Sequence, residues 1–356
     1  MNIKRIALPA AIAFIILCIF AVNYISGGHQ GRDTEDGERT GMKVGVSIYN
    51  QYDTFISSLV EYLKEEVKRM EQEKDITITL DIVNAGGSQV SQNYQVEEFI
   101  KKEYDILCIN LVDRTDASTA IDMAMNADIP VIFFNRELVE KDLERWEKLF
   151  YVGAVALESG IMQGKIVVDA CGRDFAGIDK NGDQVLQYVI LEGEPGHQDA
   201  SIRTEYVIKT ITEAGIQVEK LGDEIANWNR AQGETRMSQW LKTHRDEMEI
   251  VIANNDDMAL GAIDAMKKEN MEEPPVVVGI DGTQVGLEAV KNGDMIGTVL
   301  NDSFGQAEGI IELAYSVVFH QELPASIELI NGKYIRKPHI IVTPDNIEEI
   351  MNRKNR

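Results

Sequence analysis

The chain alternates two hydrophobic rhythms, and that alternation constrains its fold more than any other feature. Short apolar runs read as buried strands at Lys43–Tyr49, Ile76–Val83, Asp105–Ile109, Pro130–Phe134 and Phe150–Val152. Between them apolar residues return at helical spacing, over 54–72 (Phe55, Ile56, Leu59, Leu63, Val67), Gln92–Lys102 and Ala117–Asn126. A second round follows, with helix 156–171, strand Val185–Leu191, helix 199–214, strand 216–221, helix 229–244, strand 249–253, helix 256–269, strand 276–280 and helix 284–292. Strands separated by helical crossovers pair in parallel, so the fold class is α/β with doubly wound parallel sheets. The strands are too many for one compact sheet, and two lobes are expected.

The N-terminus sets the compartment. Lys4 and Arg5 precede an uncharged apolar stretch from Ile6 to Ile25. A basic start followed by such a stretch is an export signal. At about twenty residues it is also long enough to span a bilayer, although Pro9 interrupts it. Residues 1–26 therefore read as an export signal or a membrane anchor. Ser26, Gly27 and Gly28 supply small residues for cleavage, but the Ala-x-Ala pattern is missing. Cys18 invites a lipid, yet Leu17 stands where a lipobox needs a small residue, which ranks a lipoprotein below an uncleaved anchor. Residues 27–42 are polar and aperiodic and read as a flexible tether. The body then lies outside the cytoplasm, tethered to the outer face of the membrane, or secreted or periplasmic if the signal is cleaved. Beyond the signal only Cys108 and Cys171 remain, and free thiols are expected because nothing in their spacing supports a disulfide.

Charge and motifs narrow the function. A net charge of -24 excludes nucleic acid as a partner, since phosphate binding needs a basic surface. No strand is followed by Gly-x-Gly-x-x-Gly or a P-loop, so a nucleotide cofactor has no cradle, and neither His-Glu-x-x-His nor Gly-x-Ser-x-Gly occurs, so the case for an enzyme is thin. The stretch 189–203 is the most informative. A strand ends in Gly193-Glu-Pro-Gly196, and His197, Asp199 and Arg203 follow at the start of a helix. In open α/β sheets ligands bind at that end of the strands. A switchable imidazole, a planar carboxylate and a guanidinium fork suit a ligand rich in hydroxyls. Alternatively, Asp199 caps the helix and pairs with Arg203 one turn on.

A second stretch, Asp179-Lys-Asn-Gly-Asp-Gln-Val-Leu-Gln187, places Asp179, Asn181 and Asp183 at alternate positions of a calcium loop. The Val185 carbonyl and the Gln187 side chain could follow in the same order. Gly182 stands two positions before the usual glycine, which Gln184 replaces, so Gln184 has to turn left-handed. The equally available reading is an Asp/Asn-rich surface turn.

These residues carry a family resemblance. From about Val44 to Ile350 the chain resembles the exported galactose/glucose-binding proteins of sugar ABC transporters, which have the type I periplasmic binding-protein fold. The matching motifs are Gly45-Val-Ser-Ile-Tyr49 with Asp53 and Phe55, Ile109-Asn-Leu-Val-Asp113, Phe133-Phe-Asn135 and Tyr151-Val-Gly153. They continue in Gly193–His197, Val251–Asp256 and Gly297–Asp302. The resemblance implies that Phe55 and Trp228 stack on the two faces of a pyranose. It implies that Asp53, Asn110, His197, Asp199, Arg203, Asn255, Asp281 and Asn301 grip its hydroxyls. It supplies Glu249 as the remote carboxylate closing a structural Ca²⁺ site with Asp179, Asn181, Asp183, Val185 and Gln187. It places three crossings near Ile129, Asp302 and Ile335, giving lobes of 43–128 with 303–335 and 129–302 with 336–356. The expected protein is a monomer that binds D-galactose or D-glucose and delivers it to a permease. The same closed form could signal to a chemoreceptor or a sensor kinase, and ribose, xylose or methyl-galactoside could be the sugar. Sugar-responsive repressors share the fold, but the export segment and the acidic charge argue against that role.

Overall fold

The computed structural model describes residues 39–354; the export segment and most of the tether lie outside them. The strands are β1 (Gly41–Ile48), β2 (Thr77–Asn84), β3 (Ile106–Ile109), β4 (Val131–Phe134), β5 (Leu149–Gly153), β6 (Val185–Glu192), β7 (Gln217–Ile225), β8 (Ile250–Ala253), β9 (Val276–Val278), β10 (Thr298–Asn301), β11 (Tyr334–Arg336) and β12 (His339–Val342). The helices are α1 (Thr54–Lys74), α2 (Gln89–Lys101), α3 (Ser118–Ala127), α4 (Glu140–Leu143), α5 (Ala156–Ile178), α6 (Gln198–Glu213), α7 (Arg230–Trp240), α8 (Asp256–Lys268), α9 (Gln284–Lys291), α10 (Ser303–Phe319) and α11 (Ile347–Lys354).

Among the described residues two sheets carry the molecule. The first has the order β11-β5-β4-β3-β1-β2 with every pair parallel. The second has the order β7-β6-β8-β9, also parallel. Parallel bridges from Val278 to Gly297 and from Asp281 to Leu300 continue it into β10, which pairs antiparallel with β12. Each sheet is apolar on both faces, as a parallel sheet between helices must be. In the first, Val44 and Val46 pack with Leu59, Leu63 and Ile310 on one side, while Leu107 and Ile109 pack with Phe99 and Ile121 on the other. In the second, Val189 and Val251 meet Met237 and Met258, and Ile190 and Ile252 meet Ile166 and Val207.

The sheets relocate one lobe boundary. Residues 129–153 were expected in the second lobe, but β4 and β5 belong to the first sheet, paired to β3 and to each other. The first crossing therefore falls after Gly153, about two dozen residues beyond Ile129. A crossover returning to its own sheet and one leaving for the next look alike in local sequence, because both are a strand followed by polar loop and helix. The other crossings lie at Asp302, between β10 and α10, and between Arg336 and His339. Cys108 and Cys171 are buried free thiols.

Candidate ligand-binding site

Both sheets have a central strand whose neighbours lead to opposite sides, β1 in the first and β6 in the second. Ligand groups collect at the carboxyl ends of the strands at such points. Asp53 follows β1, Asn135 and Arg136 follow β4, His197 and Asp199 follow β6, and Trp228 follows β7. Asn255 and Asp281 follow β8 and β9, and Asn301 ends β10. These residues, with Phe55 and Arg203, line one cavity of about 30 Å³ between the lobes.

Local geometry explains how each side chain is held. Asp53 caps α1, accepting from the Ile56 amide at 3.0 Å, while its second oxygen accepts the Tyr49 hydroxyl at 2.5 Å. Asn255 caps α8 through Met258 N and donates its amide to the Trp228 carbonyl. Capping and lining the cavity are thus one task, since a cap stands where the chain turns from strand end into helix. At α6 the cap is His197, not Asp199. Its Nδ1 accepts from the Asp199 amide at 3.1 Å, which leaves Nε2–H free to donate. Burial, with the charges of Arg136, Arg203 and Arg114 adding to it, pushes this imidazole well below its usual range, so it is neutral.

Arg203 is fixed from behind, donating to Ser159 Oγ and to the Asn254 carbonyl, with Asp199 at 3.6 Å and Asp281 at 3.8 Å. Burial raises the Asp281 carboxyl well above the usual carboxylate range; Arg203 opposes this, and Asp256, Asp53 and Asp257 reinforce it. Trp228 and the preceding Asn227 both have positive φ, 60° and 50°. That is uncommon for a bulky side chain and marks a position fixed by its surroundings. The indole lies against Gly193, where any Cβ would come within 2.0 Å of the ring, and meets the edge of His197 at 5.1 Å.

One residue expected at the ligand stands apart from the other nine. Asn110 does not line the cavity. It is fully buried at the end of β3, accepting from Tyr49 N and donating to the Phe134 carbonyl and Asn135 Oδ1. A short strand leaves its last side chain tucked between its neighbours, and Asn135, with φ 61°, reaches the cavity instead. Sequence reasoning quoted Phe133-Phe-Asn135 but did not select Asn135 or Arg136. A left-handed Asn after an apolar strand is the available signal for the first. Nothing in the spacing marks Arg136, whose guanidinium lies 3.4 Å from the centre of the Tyr49 ring and reaches across to Glu194 at 2.7 Å. Thr54 hydrogen-bonds Asp257 across the same divide.

In the 179–187 loop Asp179 accepts from the Gly182 and Gln184 amides at 2.8 and 2.9 Å. Asn181 Oδ1 accepts from Asp183 N, and Asp183 Oδ1 from Val185 N. Glu249 reaches in from the second sheet to the amides of Lys180 at 2.6 Å and Gln187 at 3.2 Å. Gln184 has φ 66°, as the displaced glycine requires. The donor set is all oxygen, as Ca²⁺ takes, although Glu249 Oε1 already accepts from two amides, those of Lys180 and Asn181. Two amide NH₂ groups also point inward, Asn181 to Gln187 and Gln187 to Asp183. Among the described residues no three His, Cys, Asp or Glu side chains stand in a metal-holding arrangement.

Two α/β lobes joined by three crossings, with polar and aromatic groups from both facing one cavity, define a solute-binding protein of the hinged, two-lobed class. The chain belongs to the periplasmic binding protein family, whose domain matches residues 44–322. It is 33% identical over 311 residues to the D-galactose/methyl-galactoside binding periplasmic protein MglB of Haemophilus influenzae, covering 87% of this chain and 92% of that one. It is 30% identical to a putative rhizopine-binding protein of Rhizobium meliloti over 78% of this chain and 83% of that one. A solved ABC transporter solute-binding protein from Bacillus halodurans with bound myo-inositol matches with TM-score 0.74 and 28% identity, over 89% of this chain and 99% of that one. The fold is that of the type I periplasmic binding proteins, and the chain is a binding protein, not an enzyme. Among the described residues no helix is long and apolar enough to cross a membrane.

Proposed function

We propose that this chain captures a hexose, D-galactose or D-glucose, between its lobes outside the cytoplasmic membrane and delivers it to an ABC permease. The observation that carries the reading is that nine of the ten residues singled out for sugar contact line one interlobe cavity. Phe55 and Trp228 offer the apolar area that the C–H faces of a pyranose need. Asp53, Asp199, Asn255, Asp281 and Asn301 are planar groups that can each span neighbouring hydroxyls, Arg203 is a fork of donors, and His197 offers one N–H. A buried polar group left without its partner costs ~1–3 kcal/mol, so a sugar with a hydroxyl missing or misdirected is rejected.

The cavity of about 30 Å³ holds roughly two waters. A sugar therefore enters only when the lobes part, bending the chain at the three crossings, and the bound form is favoured because only then do both lobes touch the ligand. The 33% identical relative that binds D-galactose and methyl-galactoside supports the choice of sugar. A Ca²⁺ ion in the 179–187 loop belongs to the same proposal, with Asp179, Asn181, Asp183, the Val185 carbonyl, Gln187 and Glu249 as its oxygen donors. The ion would tie the start of β6 to the start of β8 and so stiffen the second lobe.

Calorimetric titration of the full-length chain with D-galactose, D-glucose, D-ribose and myo-inositol tests the reading. Micromolar or tighter one-to-one binding of a hexose, lost in Trp228→Ala, is expected. Tighter binding of ribose or myo-inositol than of either hexose would overturn the hexose assignment.

A further inference from the structure

A second cavity, of about 380 Å³, lies directly beside the first and shares Arg136, His197 and Asp199 with it. Its remaining walls come from both lobes, with Val112, Arg114 and Thr115 on one side and Glu194, Pro195 and Gln198 on the other. Its volume falls in the roughly 300–1,000 Å³ range of small-molecule sites. Of the three side chains in the shared wall, Arg136 spans from one lobe to the other. It lies flat on Tyr49, donates to the Val112 carbonyl at 2.9 Å and pairs with Glu194.

Two polar groups of this wall are buried without partners. Arg136 is 6% exposed, and its Nε is buried without a partner; Gln198 Oε1 is likewise buried and unpaired. A buried donor and a buried acceptor in that condition each keep their full desolvation cost. A hydroxylated group lying across the wall as the lobes close supplies partners of both kinds.

The charges say what that group is. Glu194 is paired with Arg136, Glu137 with Arg336, and Asp199 with Arg203, while Asp113 accepts from the Thr115 amide and hydroxyl. The Arg114 Nε donates to the Glu137 carbonyl. Four carboxylates face two arginines in this wall, so its net charge is negative and a phosphate or carboxylate is disfavoured. We infer that the chain takes a hexose bearing a neutral hydroxylated substituent, a second sugar ring or a glycerol, with the hexose in the first cavity and the substituent in the second. The inference rests on the hexose reading and adds a second subsite to it.

The test is calorimetry of the full-length chain with D-galactose and D-glucose set against lactose, melibiose, cellobiose, galactosylglycerol and glucose 1-phosphate. At least one neutral substituted sugar is expected to bind about tenfold or more tighter than its free hexose, and the phosphate ester more weakly. Gln198→Ala and Thr115→Trp, the second filling the chamber, are expected to return that sugar to the level of the free hexose. Affinity for the hexose itself is expected to stay within about twofold, since neither residue lines the first cavity. Gln198→Ala only removes atoms, so it reads the chamber even where Thr115→Trp fails to fold. Substituted sugars that bind no tighter than free hexose, or a preference that survives Gln198→Ala, would overturn the second subsite and leave the hexose reading standing. Absence of binding by every sugar, free or substituted, would bring down both.

Discussion

Gly193→Ala is the sharpest perturbation of the site, because it adds one methyl group and replaces none of the side chains assigned to the ligand. A Cβ at Gly193 would lie 2.0 Å from Cζ2 and 2.1 Å from Cη2 of Trp228. The backbone cannot retreat, since Gly193 N donates to the buried Asn254 Oδ1 at 3.1 Å. Trp228 is equally constrained along its backbone, with its carbonyl held by Asn255 Nδ2 and two successive left-handed residues setting the turn. Only the ring can give, and the nearest space is the cavity of about 30 Å³ that the ligand needs. Overpacking of this kind costs about 1–3 kcal/mol, which for a lobe of this size lowers the melting temperature by roughly 2–12 °C. Affinity for the hexose should fall at least about tenfold, since the displaced indole both vacates one sugar face and crowds the other side. The control is Gly172→Ala, a helical glycine with nothing within 4 Å of its Cβ. It should leave affinity unchanged and melting unchanged or slightly higher, because alanine favours helix by roughly 0.5–1 kcal/mol. Calorimetry and thermal melting on the three proteins decide the matter. A Gly193→Ala protein that binds and melts like the parent would refute the claim that Gly193 exists to seat the indole.

Further expectations follow from the same contacts. Asp256 is fully buried, and burial lifts its carboxyl to about 7, with its bonds to Thr298 and Thr283 opposing. The folded state then holds a proton that the unfolded chain releases near pH 4. This carboxyl's contribution therefore falls as pH rises from about 4 through about 7, and Asp256→Asn should flatten that part of a melting-temperature profile. Asn110→Ala leaves Tyr49 N and Asn135 Oδ1 without their partner and should destabilise by about 1–3 kcal/mol in denaturant unfolding; it should weaken sugar binding less than Trp228→Ala in calorimetry. Chelation of Ca²⁺ should lower the melting temperature of the wild-type chain, and Glu249→Gln should abolish that response; a melting curve indifferent to chelator would remove the ion from the proposal.

The alternation of strands and helices was readable because each element buries one stripe or a whole run of apolar residues, and that pattern is local. Most cavity residues were readable for a related reason. Asp53 and Asn255 sit where a strand ends and a helix needs a cap, so turn chemistry and ligand chemistry ask for the same residue types at the same place. What escaped was non-local. Whether β4 and β5 return to the first sheet depends on pairing with β3, which no window of sequence around Ile129 contains. The strands β10, β11 and β12 are three or four residues long, and β11 and β12 do not alternate with helices as the other short strands do. Asn110 and Asn135 exchange roles through a single side-chain contact between two strand ends. Arg136 earns its place by stacking on Tyr49, a contact across eighty-odd residues of chain.

The caps that line the cavity have an evolutionary consequence. Asp53, His197 and Asn255 each hold the first turn of a helix as well as facing the ligand. A chain drifting toward a new sugar cannot vary them freely, because replacing a good cap with an aliphatic residue costs about 1 kcal/mol of stability before any ligand is met. Asp, Asn, Ser and Thr satisfy both demands, and they are also the side chains that grip hydroxyls. The fold thereby confines its own diversification at these positions to a vocabulary suited to polyols, while Phe55, Trp228 and Arg136, which cap nothing, are where changes of ring shape and substituent can be explored most cheaply.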